Sequence, residues 1–125
     1  MRYNETVPLT VYHYPNCSTC RRALAWLRAG DIPHQTVDIV ASPPDRSTLA
    51  RALKLSGLPV RKLMNVSGES YRAGDFKTRL PAMSDAEVLE ALAADGKLIK
   101  RPLAIGPDLA LVGFSEDAWA AALAP

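Results

Sequence analysis

The feature that most constrains the fold is a pair of cysteines, Cys17 and Cys20. The pair lies at the junction of an apolar segment with strand-forming residues and a segment whose apolar residues repeat with the period of a helix. The segment Leu9 to Tyr14 is rich in β-forming residues and predicts a buried strand. From Cys20 onward, apolar residues recur at i, i+3, i+4 and i+7, which predicts a helix from about Ser18 to Ala29. A strand that runs through a CxxC sequence into a helix indicates thiol chemistry at the junction, which the CxxC sequence alone would not.

The remaining segments extend this start into an alternating α/β pattern. Thr36–Val40 predicts a second strand, and residues 65–81 are polar and turn-prone, typical of a loop with brief helical turns. A helix is predicted to start at Ser42-Pro43-Pro44 and end at Gly57, and a short apolar segment, Leu58–Met64, follows it. A second helix begins behind the capping box Ser84–Glu87 and ends at Gly96. The chain then forms a hairpin of Leu98–Ile105 and Leu109–Phe114, and a last helix capped by Ser115 carries Trp119 and Leu123 on one face.

This order predicts an α/β fold of the thioredoxin-like type. Its frame is βαβ–ββα, with a mixed four-stranded sheet flanked by helices, and the helical segment at about residues 43–96 forms an insertion. The length fits one domain, residues 1–125, which is large enough to bury a core.

Composition excludes several classes of protein. Two cysteines three positions apart close almost no chain and cannot brace a secreted scaffold. They do not complete a four-ligand zinc site, and His13 and His34 are not at ligand spacing, so we expect no metal. The net charge of +2 is too balanced to predict binding to nucleic acid or to a membrane surface.

The sequence also predicts the cellular compartment in which the cysteines act. The segment MRYNETVPLT has no apolar core of a signal peptide, and no apolar run approaches the roughly 20 residues that span a bilayer. We therefore expect a cytoplasmic protein whose thiols are kept reduced. The mixed-charge surface predicts a monomer.

Thiol chemistry needs a thiolate, and the start of a helix stabilises one. Backbone N–H groups of the first turn, those of Ser18 and Thr19 included, can point at the Cys17 sulfur and bind an oxyanion that approaches it. Cys20 lies one turn inside, on the apolar stripe, and is expected to be shielded but within reach of Cys17. Two other interpretations stay open: inert structural cysteines, or half of a zinc site shared with another chain.

Four further residues are candidates for the same site. His13 precedes Cys17 by four residues and either assists the thiolate or is a partly buried strand histidine. Arg101 directly precedes Pro102, and a cis peptide bond there would bring Arg101 to Cys17, as thioredoxin-like folds place a cis-proline opposite the catalytic cysteine. Arg61 is either a second guanidinium that converges on the thiolate or a surface residue with a packed stem.

At this point the sequence resembles the arsenate reductase/Spx family of thioredoxin-fold proteins, over about Leu9 to Leu123. The matching segments are TVYHYPNCSTCRRALAWL at 10–27, SPP at 42–44, LPVRKLMNVSGESYR at 58–72, and LIKRPLAIG with LVGFSEDAW at 98–119. The resemblance implies that Cys17 attacks arsenate, that Arg61 and Arg101 hold the oxyanion, and that His13 assists the thiolate. It implies no bound cofactor, but an external thiol reductant, either thioredoxin or glutathione with glutaredoxin.

The sequence departs from the arsenate-reducing members at two positions. Cys20 stands where those enzymes usually lack a cysteine, so it is expected to resolve the intermediate into a Cys17–Cys20 disulfide. Gly113 stands where they carry a third arginine. The departures keep two alternatives open: an Spx-like regulator that binds the RNA polymerase α subunit under redox control, and a general glutaredoxin-like disulfide reductase.

Overall fold

The computed structural model describes residues 9–123, and its centre is a four-stranded mixed sheet. The strands are β1 Leu9–His13, β2 His34–Asp38, β3 Leu103–Ile105 and β4 Ala110–Val112. Their spatial order is β2-β1-β3-β4, in which β1 pairs parallel with β2 and antiparallel with β3, and β3 pairs antiparallel with β4. The predicted βαβ–ββα frame is confirmed.

Six α-helices and three short 3-10 helices surround the sheet in the described part of the chain. The α-helices are α1 Ser18–Ala29, α2 Arg46–Ser56, α3 Glu69–Ala73, α4 Phe76–Arg79, α5 Asp85–Ala94 and α6 Glu116–Leu123, and the 3-10 helices are Val60–Leu63, Leu80–Ala82 and Gly96–Leu98. The segment between β2 and β3 therefore holds α2 to α5, where the sequence predicts the helical insertion. No helix among residues 9–123 is both long and apolar enough to cross a bilayer.

Each face of the sheet has its own core because side chains alternate along a strand. On one face, Leu9 and Val11 of β1 pack with α1 and α6, where Trp119 is buried. On the other face, Leu103 and Ile105 of β3 pack with the helices of the insertion. The sheet thus holds α1 against one core and the insertion against the other.

The ends of the first two helices are set by local capping. α1 has the predicted bounds. α2 starts at Arg46 rather than at the predicted Ser42, because the Asp45 carboxylate accepts a hydrogen bond of 2.8 Å from Thr48 N and caps the helix there. Gly57 ends α2 as predicted, with a left-handed φ of 69°.

The ends of α5 follow a second set of contacts. The capping box of Ser84 and Glu87 is confirmed. The helix ends at Ala94, whereas the sequence predicts Gly96. Asp95 accepts a hydrogen bond from Lys97 N, and Gly96 opens a 3-10 helix pressed against the Ile39 carbonyl.

Two strand predictions need correction. β2 lies two residues earlier than the predicted Thr36–Val40, because the Asp38 carboxylate accepts hydrogen bonds from Val40 N and Ala41 N and turns the chain. The C-terminal hairpin is shorter than predicted because Pro102 has no N–H to donate and Gly113 takes a left-handed φ of 73° after β4. The expectation about a signal peptide rests mainly on residues 1–8, which lie outside the described residues.

Candidate active site

Cys17 caps the N-terminus of α1 with its own sulfur. The residue has an extended backbone, with φ −104° and ψ 112°, and its Sγ accepts a hydrogen bond of 3.2 Å from Cys20 N. A sulfur here takes the place of the oxygen that usually caps a helix. Because the helix N-terminus carries partial positive charge, the backbone N–H groups of the first turn can also bind an anion that approaches the Cys17 sulfur.

Cys20 lies behind Cys17 and is fully buried. Burial first, and a hydrogen bond with the Cys17 side chain second, raise the pKa of the Cys20 thiol to about 12. At neutral pH Cys20 therefore keeps its proton, while Cys17 is partly exposed. Both cysteines are free thiols, so the structure shows the reduced pair.

Cys17 opens into a cavity of about 530 Å³ that is strongly cationic. Three cationic side chains line it, Arg22, Lys100 and Arg101, and none of its described lining residues is acidic. Thr19 lines the cavity beside Cys17. A cavity with this charge favours anions over cations and neutral molecules.

Arg101 stands at the position that the sequence predicts for it. The Arg101–Pro102 peptide bond is cis, and the Arg101 side chain lines the cavity with Cys17. The guanidinium carbon lies 4.8 Å from the centre of the Tyr14 ring, and Nη1 donates a hydrogen bond of 3.4 Å to Lys97 O. A cation–π contact on one face leaves the remaining N–H donors free to meet a ligand.

A short loop forms the wall opposite the helix, and the sequence analysis did not find it. Asn65, Ser67 and Gly68 line the cavity there. Asn65 Oδ1 accepts a hydrogen bond of 3.2 Å from Ser67 Oγ, and Asn65 Nδ2 donates one of 3.5 Å to Lys97 O. The Lys97 carbonyl thus joins this wall to Arg101. A signal was present in the Asn-Val-Ser-Gly run, whose small and polar residues are typical of a ligand-contacting turn.

The structure does not bring Arg61 to Cys17, which corrects the expectation that two guanidinium groups converge there. Arg61 instead lines a second cavity of about 610 Å³, together with Pro81 and Val88. The reason is the short 3-10 helix that carries it. Leu63 and Met64 point into the core and turn Arg61 outward, and the chain reaches the Cys17 cavity only at Asn65.

Two other predicted residues lie close to the site in sequence but do not line the cavity. His13 ends β1 and pairs in register with Asp38 of β2. Hydrogen bonds from Ala41 N and Val40 N lower the pKa of Asp38, and the charge of His13 adds to this effect. Ser18 is exposed on the first turn of α1, next to Cys17. Arg22 and Lys100 are the cations of the cavity that sequence reasoning missed.

Among residues 9–123, no group of three or more His, Cys, Asp or Glu side chains is placed to hold a metal ion. The cysteine pair offers one partly exposed sulfur at a helix N-terminus, one buried sulfur behind it and a cationic cavity. This arrangement can bind an anion beside Cys17, and an oxidising substrate bound there could accept two electrons as the two thiols form a disulfide.

Comparison with known sequences points to one family. The family model described as "ArsC family" matches residues 12–122. The chain is 43% identical over 109 residues to the uncharacterised protein YusI of Bacillus subtilis, covering 87% of this chain and 92% of that one. It is 33% identical over 99 residues to an arsenate reductase of Rhizobium meliloti, covering 79% of this chain and 69% of that one. The global transcriptional regulator Spx of Streptococcus mutans is 25% identical over 109 residues, with 87% and 78% covered.

Solved structures give the same result. An ArsC family related protein from Bacteroides fragilis superposes with a TM-score of 0.86 at 39% identity, over 89% of this chain and 93% of that one. A protein from Streptococcus mutans described as a possible arsenate reductase has a TM-score of 0.80 at 44% identity, over 86% and 92% of the two chains.

Proposed function

The chain belongs to the ArsC family, and from that premise we propose that it is a thiol oxidoreductase of the arsenate reductase type. One observation carries the proposal: Cys17 caps α1 and opens into a cavity whose described charged residues are all cationic, with the buried Cys20 directly behind it. The substrate is the arsenate oxyanion and the product is arsenite. The site of action is the cytoplasm, where the pair stays reduced between turnovers.

The first step is attack of the Cys17 thiolate on arsenic(V). A bond forms between sulfur and arsenic, and one arsenate oxygen leaves as water, which yields a covalent thiol–arsenate adduct. Arg101 and the backbone N–H groups of Ser18 and Thr19 neutralise the negative charge on the remaining oxygens. The arginine contributes through its planar fork, which matches two oxygens at once.

The second step is reduction of the adduct by Cys20. Its thiol loses a proton, and its sulfur attacks the Cys17 sulfur. The sulfur–arsenic bond breaks, and its electron pair stays on arsenic, which leaves as arsenite. The balance is one arsenate and two thiols in, and one arsenite, one disulfide and one water out.

The third step returns the enzyme to its reduced form. An external thiol system reduces the Cys17–Cys20 disulfide by thiol–disulfide exchange, and two of its own thiols become a disulfide. The two thiols come from one thioredoxin dithiol, or from two molecules of glutathione with glutaredoxin as the catalyst. Cys17 is the sulfur that the external thiol attacks, because Cys17 is partly exposed and Cys20 is buried.

A coupled assay tests this proposal. Arsenate-dependent oxidation of NADPH is followed with thioredoxin and its reductase, and in a parallel arm with glutathione, glutaredoxin and glutathione reductase. We expect turnover in at least one arm and its loss in Cys17→Ser. Turnover no higher than a blank with the thiol system alone, in both arms, would contradict the proposal.

A second candidate is a general disulfide reductase that does not act on arsenate. The position of Arg61 favours it, because only one of the two arginines expected to hold the oxyanion lines the cavity. Reduction of hydroxyethyl disulfide separates the two. Brisk reduction without arsenate turnover supports the general reductase, and arsenate turnover supports the first candidate.

A regulatory role is the third candidate, favoured by the similarity to Spx and by the cysteine pair. The partner would be the α subunit of RNA polymerase, with the Cys17–Cys20 disulfide as the switch. Pull-down of RNA polymerase by the reduced and the oxidised chain tests it. Binding that changes with the oxidation state supports this role, and absent or redox-independent binding excludes it.

A further inference from the structure

The side chain of Lys100 lies across Gly113, at the edge of the Cys17 cavity. A Cβ atom added to Gly113 would lie 3.1 Å from Lys100 Cε, tighter than ordinary van der Waals contact. Gly113 is buried and has a left-handed φ of 73°, and its N–H donates a hydrogen bond of 2.9 Å to Pro102 O. A side chain at residue 113 would therefore require the Lys100 side chain to shift by a few tenths of an ångström.

The backbone holds Lys100 in this position from both sides. Its own N–H donates a hydrogen bond of 2.8 Å to Leu63 O, and the neighbouring Ile99 forms a β-bridge with Met64. Arg101 follows directly and lines the same cavity. The lysine stem thus leaves a fixed point of the backbone and runs over Gly113.

The charge of Lys100 is available to a ligand. The lysine lines the cavity with Arg22 and Arg101, and no described lining residue is acidic. Among residues 9–123, no carboxylate forms an ion pair with Lys100. An ammonium group so placed adds attraction for any anion that approaches Cys17.

We propose that Lys100 is an anion-binding residue of the Cys17 cavity, and that Gly113 provides the space its side chain crosses. Lys100 supplies the positive charge on the side of the cavity where the sequence has glycine instead of a third arginine. Because an ammonium is a point charge without a fork, it attracts the anion without fixing its orientation. That the anion is arsenate rests on the proposed function, whereas the positive charge that Lys100 places beside Cys17 does not.

Alkylation of Cys17 measures that charge without arsenate. The reduced chain reacts separately with iodoacetate, an anion, and with iodoacetamide, which is neutral. Both reagents need the thiolate, so the ratio of their rates is independent of its abundance and reports the local potential. We expect Lys100→Gln to lower the iodoacetate-to-iodoacetamide ratio about threefold, as expected for one charge at a partly exposed site.

Lys54→Gln is the matched control. Lys54 is an exposed lysine on α2 that does not line the cavity, so its loss removes the same net charge from elsewhere, and the ratio should stay unchanged. An equal fall in both variants, or no fall in Lys100→Gln, would overturn the assignment.

Gly113→Ala tests the role of the glycine. The added methyl pushes the Lys100 stem by a few tenths of an ångström, so we expect a fall in the ratio in the parent chain that is smaller than that of Lys100→Gln, and no further fall in the Lys100→Gln background. Equal falls in both backgrounds would mean that the methyl acts without the lysine. Thermal melting checks that each variant is folded, and Lys100→Gln decides the proposal if Gly113→Ala does not fold.

These outcomes separate the two proposals. A ratio that falls in Lys100→Gln while arsenate is not reduced keeps Lys100 as an anion-binding residue and rejects the proposed function. Arsenate turnover together with an unchanged ratio in Lys100→Gln supports the proposed function and rejects Lys100 as an anion-binding residue.

Discussion

Two sulfur atoms three positions apart have opposite surroundings in this chain. Cys17 is partly exposed at a helix N-terminus, and Cys20 is fully buried one turn later. The difference follows from the spacing, because the apolar stripe of α1 passes through Cys20 and not through Cys17. The reduced protein thus already distinguishes an accessible sulfur from a shielded one, as the proposed attack by Cys17 and resolution by Cys20 require.

Burial of Cys20 predicts a loss of stability in alkali. Its pKa is raised to about 12 from an ordinary value of 9.0, so the native state holds a proton that the unfolded state releases between these values. The resulting stabilisation is complete below pH 9 and disappears as the pH rises towards 12. We expect the free energy of unfolding of the parent to fall more steeply between pH 8 and pH 11 than that of Cys20→Ala.

Urea unfolding under reducing conditions at several pH values measures this difference. The other ionisable side chains are common to both chains, so the comparison isolates the effect of Cys20 together with its contact with Cys17. Parallel falls in the parent and in Cys20→Ala would contradict the account of Cys20.

Loss of the Arg101 side chain is expected to affect arsenate binding and disulfide reduction differently. We expect Arg101→Ala to raise the KM for arsenate at least about tenfold, as expected for the loss of charge-assisted hydrogen bonds worth about 1.5–3 kcal/mol. Reduction of hydroxyethyl disulfide should stay within about twofold of the parent, because that substrate carries no charge. Arg101→Lys should restore only part of the lost affinity.

Steady-state kinetics with the two substrates check this prediction. Equal loss of both activities in Arg101→Ala would assign the arginine a structural role, through its contacts with Tyr14 and the Lys97 carbonyl.

The helices and strands differ in how far the sequence predicts them. α1 and the start of α5 are predictable because each has a long apolar period and a recognisable cap, Cys17 or Ser84. β2 is displaced by two residues because its bounds depend on the turn at Asp38 and on pairing with β1, which no local pattern encodes.

The same limit explains the misplaced Arg61. The 3-10 helix Val60–Leu63 has four residues, too few for any period to show which side faces the core. Asn65, which does reach the cavity, was therefore indistinguishable from the rest of a polar loop. By contrast, Cys17, Arg101 and Pro102 were predictable because each is tied to the end of a regular element.

In the connection between α5 and β3, a single methyl group added to Gly96 is expected to lower the stability of the fold strongly. A Cβ at Gly96 would overlap the backbone carbonyl of Ile39. We expect Gly96→Ala to lower the free energy of unfolding by about 3 kcal/mol or more, because backbone atoms on both sides must shift.

Gly57→Ala is the control for that substitution. Gly57 has a left-handed φ of 69° and open space around its Cα, so the expected loss is about 1 kcal/mol from backbone strain alone. Urea unfolding compares the two variants, and equal losses would show that the contact with Ile39 tolerates a side chain.

The charge around the Cys17 cavity differs from the charge balance of the whole molecule. The chain carries a net charge of only +2, yet three cations line this one cavity without a described acidic residue among its lining. The total charge is therefore a poor guide to the local field.

The core that contains Trp119 connects the cavity to the C-terminal helix. Trp119 of α6 packs edge-on against Phe114, which lines the cavity, and its Nε1 donates a hydrogen bond of 3.0 Å to Gly113 O. The C-terminal helix thus contacts the backbone at Gly113, which lines the cavity together with Cys17.

The most direct test of the central claim is a single turnover without any external thiol. The reduced chain is mixed with arsenate, and arsenite and the two protein thiols are quantified together. We predict about one arsenite per chain, with a Cys17–Cys20 disulfide formed at the same rate, and neither product in Cys17→Ser. The claim would be contradicted if the chain produced no arsenite although hydroxyethyl disulfide still oxidised its cysteine pair.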